Sequence, residues 1–424
     1  MPLIYVKSYG CSANTADSEI AKGMLAQEGH TIVHSIDEAD VAVIFTCIVK
    51  TPTERKIVKS LKAIKNTGTP LVVAGCMPKA LNRLVSEITP DACMVGPDDL
   101  EMLPAAVTEV LEGGRKIFVD GEHFNRACQP RIRENPLIHI APISSGCLGN
   151  CSYCIVKHAR GHLHSFPSVE IIEGARRVFY EGCREIWVTA EDTAAYNDGG
   201  VRLPELLTRL SDLDGDFRIR VGMMTPNQAI PILDDLLEAY SHEKVFKFLH
   251  IPIQSGNDEV LKRMNRRYTV HEFLDLATAF RERFPRIGIS TDIICGFPGE
   301  TEKQFNDSLD LIRTLRPDVL NISRYWERPG TEAANMSGKL HGRETKERSR
   351  KLTILWKELA LDVGKRWVGW EGEILLDEHG KGSSKVGRNY AYKPVAIKTD
   401  HNLGEFVKVR VTGSGVGFLT GTTI

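Results

Sequence analysis

Short apolar runs alternate with longer amphipathic stretches over the first 112 residues. Four runs have the length and composition of buried β-strands, at 3–9, 41–45, 71–74 and 92–95. Four stretches repeat apolar residues at helical spacing, at 18–27, 54–65, 80–86 and 100–111. Strands that alternate with helices in this way form a parallel sheet with helices on its faces. The pattern therefore predicts an α/β, Rossmann-like domain at 1–112.

The same alternation returns at 137–364, after a segment at 113–136 whose glycines, prolines and charges predict a linker. Six apolar runs are predicted strands, at 138–143, 185–189, 218–222, 245–253, 288–295 and 319–322. A segment of helical length follows each run, so we expect six βα units. Eight units close the common barrel, and six therefore predict an open, partial (βα)6 barrel with its chemistry at the carboxyl ends of the strands.

A third pattern begins at residue 365, where glycines recur between short runs of alternating apolar and polar residues. This pattern is typical of a small all-β domain, and it predicts an antiparallel β-barrel at 365–424. The chain is thus predicted to contain three domains and one linker.

Composition narrows the class of protein. The chain has 424 residues, 42% of them hydrophobic and 26% charged, which is ordinary for a globular protein. Its net charge of −1 means that any contact with nucleic acid depends on local basic patches. The first residues show no secretory signal, and no apolar run reaches the roughly 18 residues of a membrane span. We therefore expect a cytoplasmic protein without membrane contact or disulfides.

Three cysteines stand within eight residues directly after the first predicted strand of the central region: Cys147, Cys151 and Cys154. Thiolates at this spacing can bind three corners of a 4Fe–4S cluster and leave one iron open. An open iron can chelate the amino and carboxylate groups of S-adenosylmethionine, which the cluster then reduces to a 5′-deoxyadenosyl radical. The alternative is a zinc knuckle with His158 as fourth ligand, but zinc favours a closed site.

Three more cysteines each follow a predicted strand of the first domain: Cys11, Cys47 and Cys76. Because the carboxyl ends of parallel strands share one edge of a sheet, these thiols can converge on a second cluster. Taken singly, each is more often a buried apolar residue. That simpler interpretation is adopted for the remaining cysteines, which are Cys93, Cys128, Cys183 and Cys295.

With both sets of cysteines placed, the whole chain resembles the radical S-adenosylmethionine methylthiotransferase family. The motifs that carry the resemblance are YGCSAN at 9–14, TCIVKTPTE at 46–54, AGCMP at 74–78, the loop at 147–154, HIPIQSG at 250–256 and TDIICGFPGET at 291–301. TPTE at 51–54 and GRNYAYKPV at 387–395 are similar to the archaeal and eukaryotic branch that acts on N6-threonylcarbamoyladenosine of tRNA.

The resemblance implies an enzyme that converts N6-threonylcarbamoyladenosine at position 37 of tRNA to its 2-methylthio derivative. It implies two 4Fe–4S clusters, one held by Cys11, Cys47 and Cys76 and the other by the Cys147 loop. S-adenosylmethionine would serve both as methyl donor and as radical source. The expected partners are tRNA, an electron donor of flavodoxin or ferredoxin type, and a sulfur donor.

Polar and glycine residues that end the central strands are expected near the cofactor. They are Glu191, Asp192, Gln254, Ser255, Gly296 and Gly299. Each can alternatively be a turn or cap residue. Three arginines, Arg160, Arg220 and Arg328, are candidates to steer phosphate or a substrate carboxylate, although a single arginine more often forms a salt bridge.

For the C-terminal barrel the resemblance implies an RNA-binding TRAM domain. Aromatic rings and positive charges interleave there and are expected to contact RNA, through Lys385, Arg388, Tyr390, Tyr392 and Lys393. The alternative is a structural cap in which the tyrosines pack against neighbouring residues.

Two other functions remain open at this point. One keeps the chemistry and moves it to an aspartate of a ribosomal protein, as in a sister branch of the family. The other is a non-catalytic iron–sulfur or zinc protein that only binds RNA.

Overall fold

The computed structural model describes residues 1–424 and contains 21 strands and 14 α-helices. The strands are β1 Leu3–Ser8, β2 Thr31–Val33, β3 Val41–Thr46, β4 Leu71–Gly75, β5 Cys93–Val95, β6 Ile117–Phe118, β7 Ile138–Pro142, β8 Ser144–Ser145, β9 His164–Ser165, β10 Glu185–Thr189, β11 Asn197–Asp198, β12 Val201–Arg202, β13 Arg218–Val221, β14 Phe248–His250, β15 Gly288–Cys295, β16 Val319–Arg324, β17 Glu371–His379, β18 Ser384–Arg388, β19 Pro394–Lys398, β20 Phe406–Gly415 and β21 Phe418–Thr423. The helices are α1 Ser12–Gln27, α2 Thr51–Thr67, α3 Cys76–Ala80, α4 Asn82–Ile88, α5 Leu103–Leu111, α6 Val156–Arg160, α7 Ser168–Tyr180, α8 Leu203–Ser211, α9 Pro226–Ala229, α10 Leu233–Ser241, α11 Asp258–Arg263, α12 Val270–Arg283, α13 Glu302–Leu315 and α14 Gly342–Lys365.

The N-terminal domain is built on a six-stranded parallel sheet in the order β2-β1-β3-β4-β5-β6. Every residue of β3 is buried, as expected for an apolar central strand covered on both faces. Helices α1 and α5 pack on one face of the sheet, and α2, α3 and α4 pack on the other. The parallel α/β prediction is confirmed.

Part of the segment at 113–136, predicted as a linker, packs against the N-terminal domain. Its strand β6 pairs with β5 and extends the N-terminal sheet beyond residue 112. Phe124 joins the apolar core of the same domain, and Arg126 is buried against Asp17. The sequence of the segment resembles a linker because Asp17, the acidic partner of Arg126, lies far away along the chain.

The central domain contains six parallel strands, as predicted. One sheet has the order β13-β10-β7 and a second has the order β14-β15-β16. A parallel bridge between Ile219 and Val245 joins the two sheets, so the six strands form one open layer. The outer strands, β7 and β16, do not pair with each other, which makes this the expected partial barrel.

Five strands at the C-terminus close into a barrel in the order β17-β18-β19-β21-β20. Four of the five pairings are antiparallel, whereas β19 and β21 run parallel. The predicted antiparallel barrel is therefore confirmed, with one parallel pairing. No helix of the protein combines the length and apolar character that crossing a membrane requires.

The C-terminal barrel docks on the amino ends of the central strands through the loop at 389–393. The backbone N–H of Lys247 donates to the carbonyl of Tyr390 at 2.7 Å, and the Lys393 ammonium lies 2.9 Å from Asp318. The ring of Tyr392 packs against Phe246 and Phe248. Since parallel-strand domains carry their chemistry at the carboxyl ends, this barrel sits at the end opposite the expected site.

We expect Tyr392→Ala to destabilise the protein by about 2 kcal/mol or more, because it removes a ring packed between two domains. Tyr392→Phe keeps the ring and should stay close to the wild type. Calorimetric unfolding of the three proteins measures the difference. Equal transition temperatures for the alanine variant and the wild type would contradict the assigned contact.

Candidate active site

Three neighbouring strands deliver the first set of cysteines to one edge of the N-terminal sheet. Cys11 follows β1 and precedes α1, Cys47 follows β3, and Cys76 follows β4 and begins α3. In the sheet, β3 lies between β1 and β4, so these strand ends are adjacent. Cys11 is exposed, and the other two are buried. The structure thus brings these three predicted ligands together.

Two glycines allow the strand ends to approach so closely. Gly10 has φ +120°, and a Cβ there would lie 2.7 Å from Cβ of Cys47. Gly75 has φ +85°, and a Cβ there would lie 2.9 Å from the carbonyl oxygen of Thr46. Any other residue would be strained at both positions and would separate the loops.

Asn14, which the sequence analysis did not single out, connects the same loops from the first turn of α1. Its Nδ2 donates to the carbonyls of Tyr9 and Thr46, both at 2.8 Å. Its Oδ1 lies 4.0 Å from Sγ of Cys76. The only sequence signal for this role is its position three residues after Cys11.

The second set of cysteines lies on the loop between β8 and α6. All three are partly exposed. The N–H of Gly149 donates to Sγ of Cys147 at 3.2 Å, and Nη1 of Arg266 lies 3.1 Å from Sγ of Cys151. Arg266 was not predicted either, since nothing local marks an arginine 115 residues from its sulfur partner.

Burial opposes ionisation of the thiols in the iron-free protein. It raises the pKa of Cys147 to about 11 and the pKa values of Cys76 and Cys154 to about 12. These thiols are therefore protonated at neutral pH and lose protons when a metal centre binds them.

One cavity of about 570 Å³ borders all six of these cysteines. No three His, Cys, Asp or Glu side chains in the protein are arranged to hold a single metal ion. The thiols instead surround a space that falls in the size range of small-molecule sites. Two thiol triads that border one cavity are a donor set that fits two iron–sulfur clusters.

Two of the six residues expected near the cofactor line this cavity, namely Glu191 and Gln254. Asp192 is buried and accepts hydrogen bonds from the backbone N–H and the hydroxyl of Thr225. Burial raises the pKa of Asp192 to about 6. The hydroxyl of Ser255 accepts from the N–H of Asn257 at 3.3 Å, just before α11. Asp192 and Ser255 thus have partners within the chain, and their contact with the cofactor stays a prediction.

The two predicted cofactor glycines also lie outside the cavity lining. A Cβ on Gly296 would lie 2.3 Å from Cγ2 of Thr345 on α14. A Cβ on Gly299 would lie 2.4 Å from Nη1 of Arg263. Both glycines thus permit close packing between elements, and their approach to the cofactor stays a prediction.

The residues predicted to contact RNA mostly form contacts within the chain. Arg388 pairs with Asp377 and Glu378, and Lys393 and Tyr392 lie in the docking interface described above. Their charges and rings have partners inside the protein, and their contact with RNA stays a prediction. Lys385 and Tyr390 stay closer to solvent, and the ring of Tyr390 is 38% exposed beside Trp367 and Trp370.

A buried carboxylate joins the two domains beside the cavity. Asp17 of α1 accepts from Nε of Arg126 at 2.6 Å and from Nη2 of Arg160 at 2.7 Å. Arg160 belongs to α6, and it also donates to Oδ1 of Asn14 at 3.2 Å. Burial by itself would raise the pKa of Asp17, but the two guanidinium groups outweigh it and hold the pKa below its usual range.

Family models match both α/β domains. Residues 3–96 match the model described as uncharacterized protein family UPF0004, and residues 141–312 match the radical SAM superfamily. A protein of Archaeoglobus fulgidus named probable threonylcarbamoyladenosine tRNA methylthiotransferase is 42% identical, over 99% of this chain and 98% of its own length. A Danio rerio protein named threonylcarbamoyladenosine tRNA methylthiotransferase is 35% identical, over 99% of this chain and 78% of its own length.

The chain belongs to the threonylcarbamoyladenosine tRNA methylthiotransferase family. Solved structures of lower identity show the same fold. The radical S-adenosylmethionine methyltransferase TsrM of Kitasatospora setae aligns with a TM-score of 0.56 at 13% identity, covering 78% of this chain and 74% of its own. In this member of the methylthiotransferase family, both domains that match family models contribute cysteines to one cavity.

We expect Asp17→Ala to lower the free energy of unfolding by about 3–5 kcal/mol, because two buried guanidinium groups lose their shared partner. Since the pKa of Asp17 is lowered, its contribution is present above pH 3.8 and is lost as the pH falls further. Asp310→Ala breaks an exposed pair with Arg313 and should cost less than about 1 kcal/mol. Urea unfolding of the iron-free proteins tests both values, and equal midpoints for the two variants would refute the assignment.

Proposed function

We propose that this protein converts N6-threonylcarbamoyladenosine at position 37 of tRNA to its 2-methylthio derivative. The observation that carries the proposal is that two cysteine triads from different domains border one cavity. Radical formation and sulfur transfer must act on the same base, so they require two such centres within reach of one bound substrate. The names of the full-length relatives supply the substrate.

The two triads would hold the two clusters, Cys147, Cys151 and Cys154 one of them and Cys11, Cys47 and Cys76 the other. When bound, the clusters and S-adenosylmethionine would supply a 5′-deoxyadenosyl radical, a methyl group and a site for the sulfur that the product receives. We propose that a donor of flavodoxin or ferredoxin type supplies the electron for the radical step, and that a separate donor supplies the sulfur. We also propose that the reaction takes place in the cytoplasm.

Several side chains of the chain prepare this cavity. The guanidinium of Arg266 lies 3.1 Å from Sγ of Cys151 and places a positive charge beside that sulfur. Oε1 of Gln254 is buried without a partner in the protein, so it offers an acceptor to a hydroxyl or amino group of a bound cofactor. Gln254 has φ +74°, a strained conformation that fits a residue held in place for binding.

The relatives' names also separate the alternatives. They name a tRNA nucleoside and not a ribosomal-protein aspartate, and they name transferases and not RNA-binding proteins without activity. For the RNA itself, Lys385 and Tyr390 remain proposed contacts. Lys385 lies outside the docking loop, and Tyr390 is 38% exposed although its carbonyl takes part in docking.

Replacing one cysteine of each triad should separate the two chemical steps. We expect Cys147→Ala to abolish cleavage of S-adenosylmethionine and formation of product. Cys76→Ala should retain cleavage and lose the methylthio product. Iron should fall from about eight to about four atoms per chain in either variant. Anaerobic reconstitution, iron analysis and mass spectrometry of tRNA nucleosides measure these quantities.

Cys128→Ala is the matched control, because Cys128 lies outside the cavity and its Sγ contacts the carbonyl of Glu170. It should keep about eight irons. The second cluster would be refuted if the wild type held only about four irons per chain and Cys76→Ala had the same iron content. The function would be refuted if the wild type formed no methylthio product on the tRNA.

A further inference from the structure

The three arginines predicted to steer an anionic group differ in how far the protein already satisfies them. Arg160 donates to Asp17 and Asn14 and lies 3.8 Å from Glu191. Arg220 lies among aromatic rings, at 5.0 Å from the centroid of Trp187 and 5.3 Å from that of Tyr392. Nε of Arg220 is also buried without a hydrogen-bond partner, but of the three arginines only Arg328 has two adjacent donors, Nε and Nη2, that are both buried and unpaired.

Arg328 is 3% exposed and uses Nη1 to bind the carboxylate of Glu54 on α2. Its Nε and Nη2 are buried without a hydrogen-bond partner. These two atoms form the side-on edge of the guanidinium group, where two N–H bonds point in parallel and match the two oxygens of a carboxylate. Burying such donors without a partner costs free energy of folding, so this edge requires an acceptor that is not part of the protein.

Arg328 borders a second cavity of about 230 Å³ that can supply this acceptor. The second cavity continues the first, since Tyr153, Cys154 and Gln254 line both. The charged residues of its lining are mainly basic, with Lys50, Arg324 and Arg328 opposed by one acid, Asp292. An anionic group attached to a base in the first cavity would therefore be attracted into the second.

We propose that the second cavity binds the carboxylate of the substrate's threonyl group, and that Arg328 is the residue that selects for it. This inference rests on the proposed function. In adenine, C2 and the N6 substituent are attached to different ring carbons. A base that presents C2 to the cysteines thus places its N6 substituent in a separate space, and a threonylcarbamoyl substituent ends in a carboxylate. The paired edge of Arg328 has the geometry and charge to bind that group.

S-adenosylmethionine also carries a carboxylate, so the experiment must distinguish the two sources. Two anticodon stem-loop RNAs serve as probes, one with N6-threonylcarbamoyladenosine and one in which the threonyl carboxylate is replaced by its neutral carboxamide. Dissociation constants are measured for both RNAs, and for S-adenosylmethionine alone, with anaerobically prepared holoprotein. Binding is thereby measured independently of turnover.

The wild type should bind the carboxylate RNA about 10- to 100-fold more tightly than the carboxamide RNA. Arg328→Gln should reduce this ratio to about one, with unchanged affinity for S-adenosylmethionine. Arg328→Lys keeps a charge opposite Glu54 but lacks the paired edge, so its ratio should lie between those two values. Iron content and thermal unfolding of every variant report whether the fold is kept.

Glu54→Gln is the matched control, because it breaks the same ion pair and leaves the arginine in place. Its affinity ratio between the two RNAs should stay close to that of the wild type. A ratio near one would show that the ion pair acts only through the structure, and it would overturn the inference. A wild-type ratio retained in both Arg328 variants would also overturn it, as would weaker binding of S-adenosylmethionine with an unchanged RNA ratio. If the wild type discriminates between the RNAs but forms no methylthio product, the proposed function fails separately.

Discussion

The active-site cavity depends on one carboxylate, Asp17, which lies buried between two arginines. Its partners come from different parts of the chain, Arg126 from the segment after the first domain and Arg160 from the central domain. Charges that have left water must remain paired, so the three side chains fix each other's positions. Asp17 lies on α1, which directly follows Cys11, and Arg160 lies on α6, which follows Cys154. Their ion pair therefore also fixes one cysteine triad relative to the other.

The direction of the parallel strands explains where all three domains lie. In both α/β domains the cysteines follow the carboxyl ends of strands, and the domains meet with those ends around one cavity. The amino ends of the central strands remain available, and the C-terminal barrel covers them through Tyr392 and Lys393. RNA that reaches both the barrel and the cavity must therefore extend along the side of the central domain.

The sequence could predict what depends on local pattern. Strand ends located Cys11, Cys47 and Cys76, and the spacing of the second triad located the Cys147 loop. What depends on distant partners could not be predicted. One example is the close approach of Gly296 to Thr345, on a helix that begins 46 residues later. Others are the ion pairs of Arg388 with Asp377 and of Lys393 with Asp318.

The two α/β domains are held together by a second acid–arginine pair, Glu54 with Arg328, besides that of Asp17 with Arg160. In both pairs the carboxylate belongs to the N-terminal domain and the arginine to the central domain. The two arginines differ in their unused hydrogen-bond donors. Arg160 donates to several acceptors, whereas Nε and Nη2 of Arg328 have no acceptor. Glu54 lies seven residues after Cys47, on the helix that the Cys47 loop enters. A substrate group bound by Arg328 would therefore be positioned relative to the triad that contains Cys47, so recognition of the base and delivery of sulfur share one rigid connection.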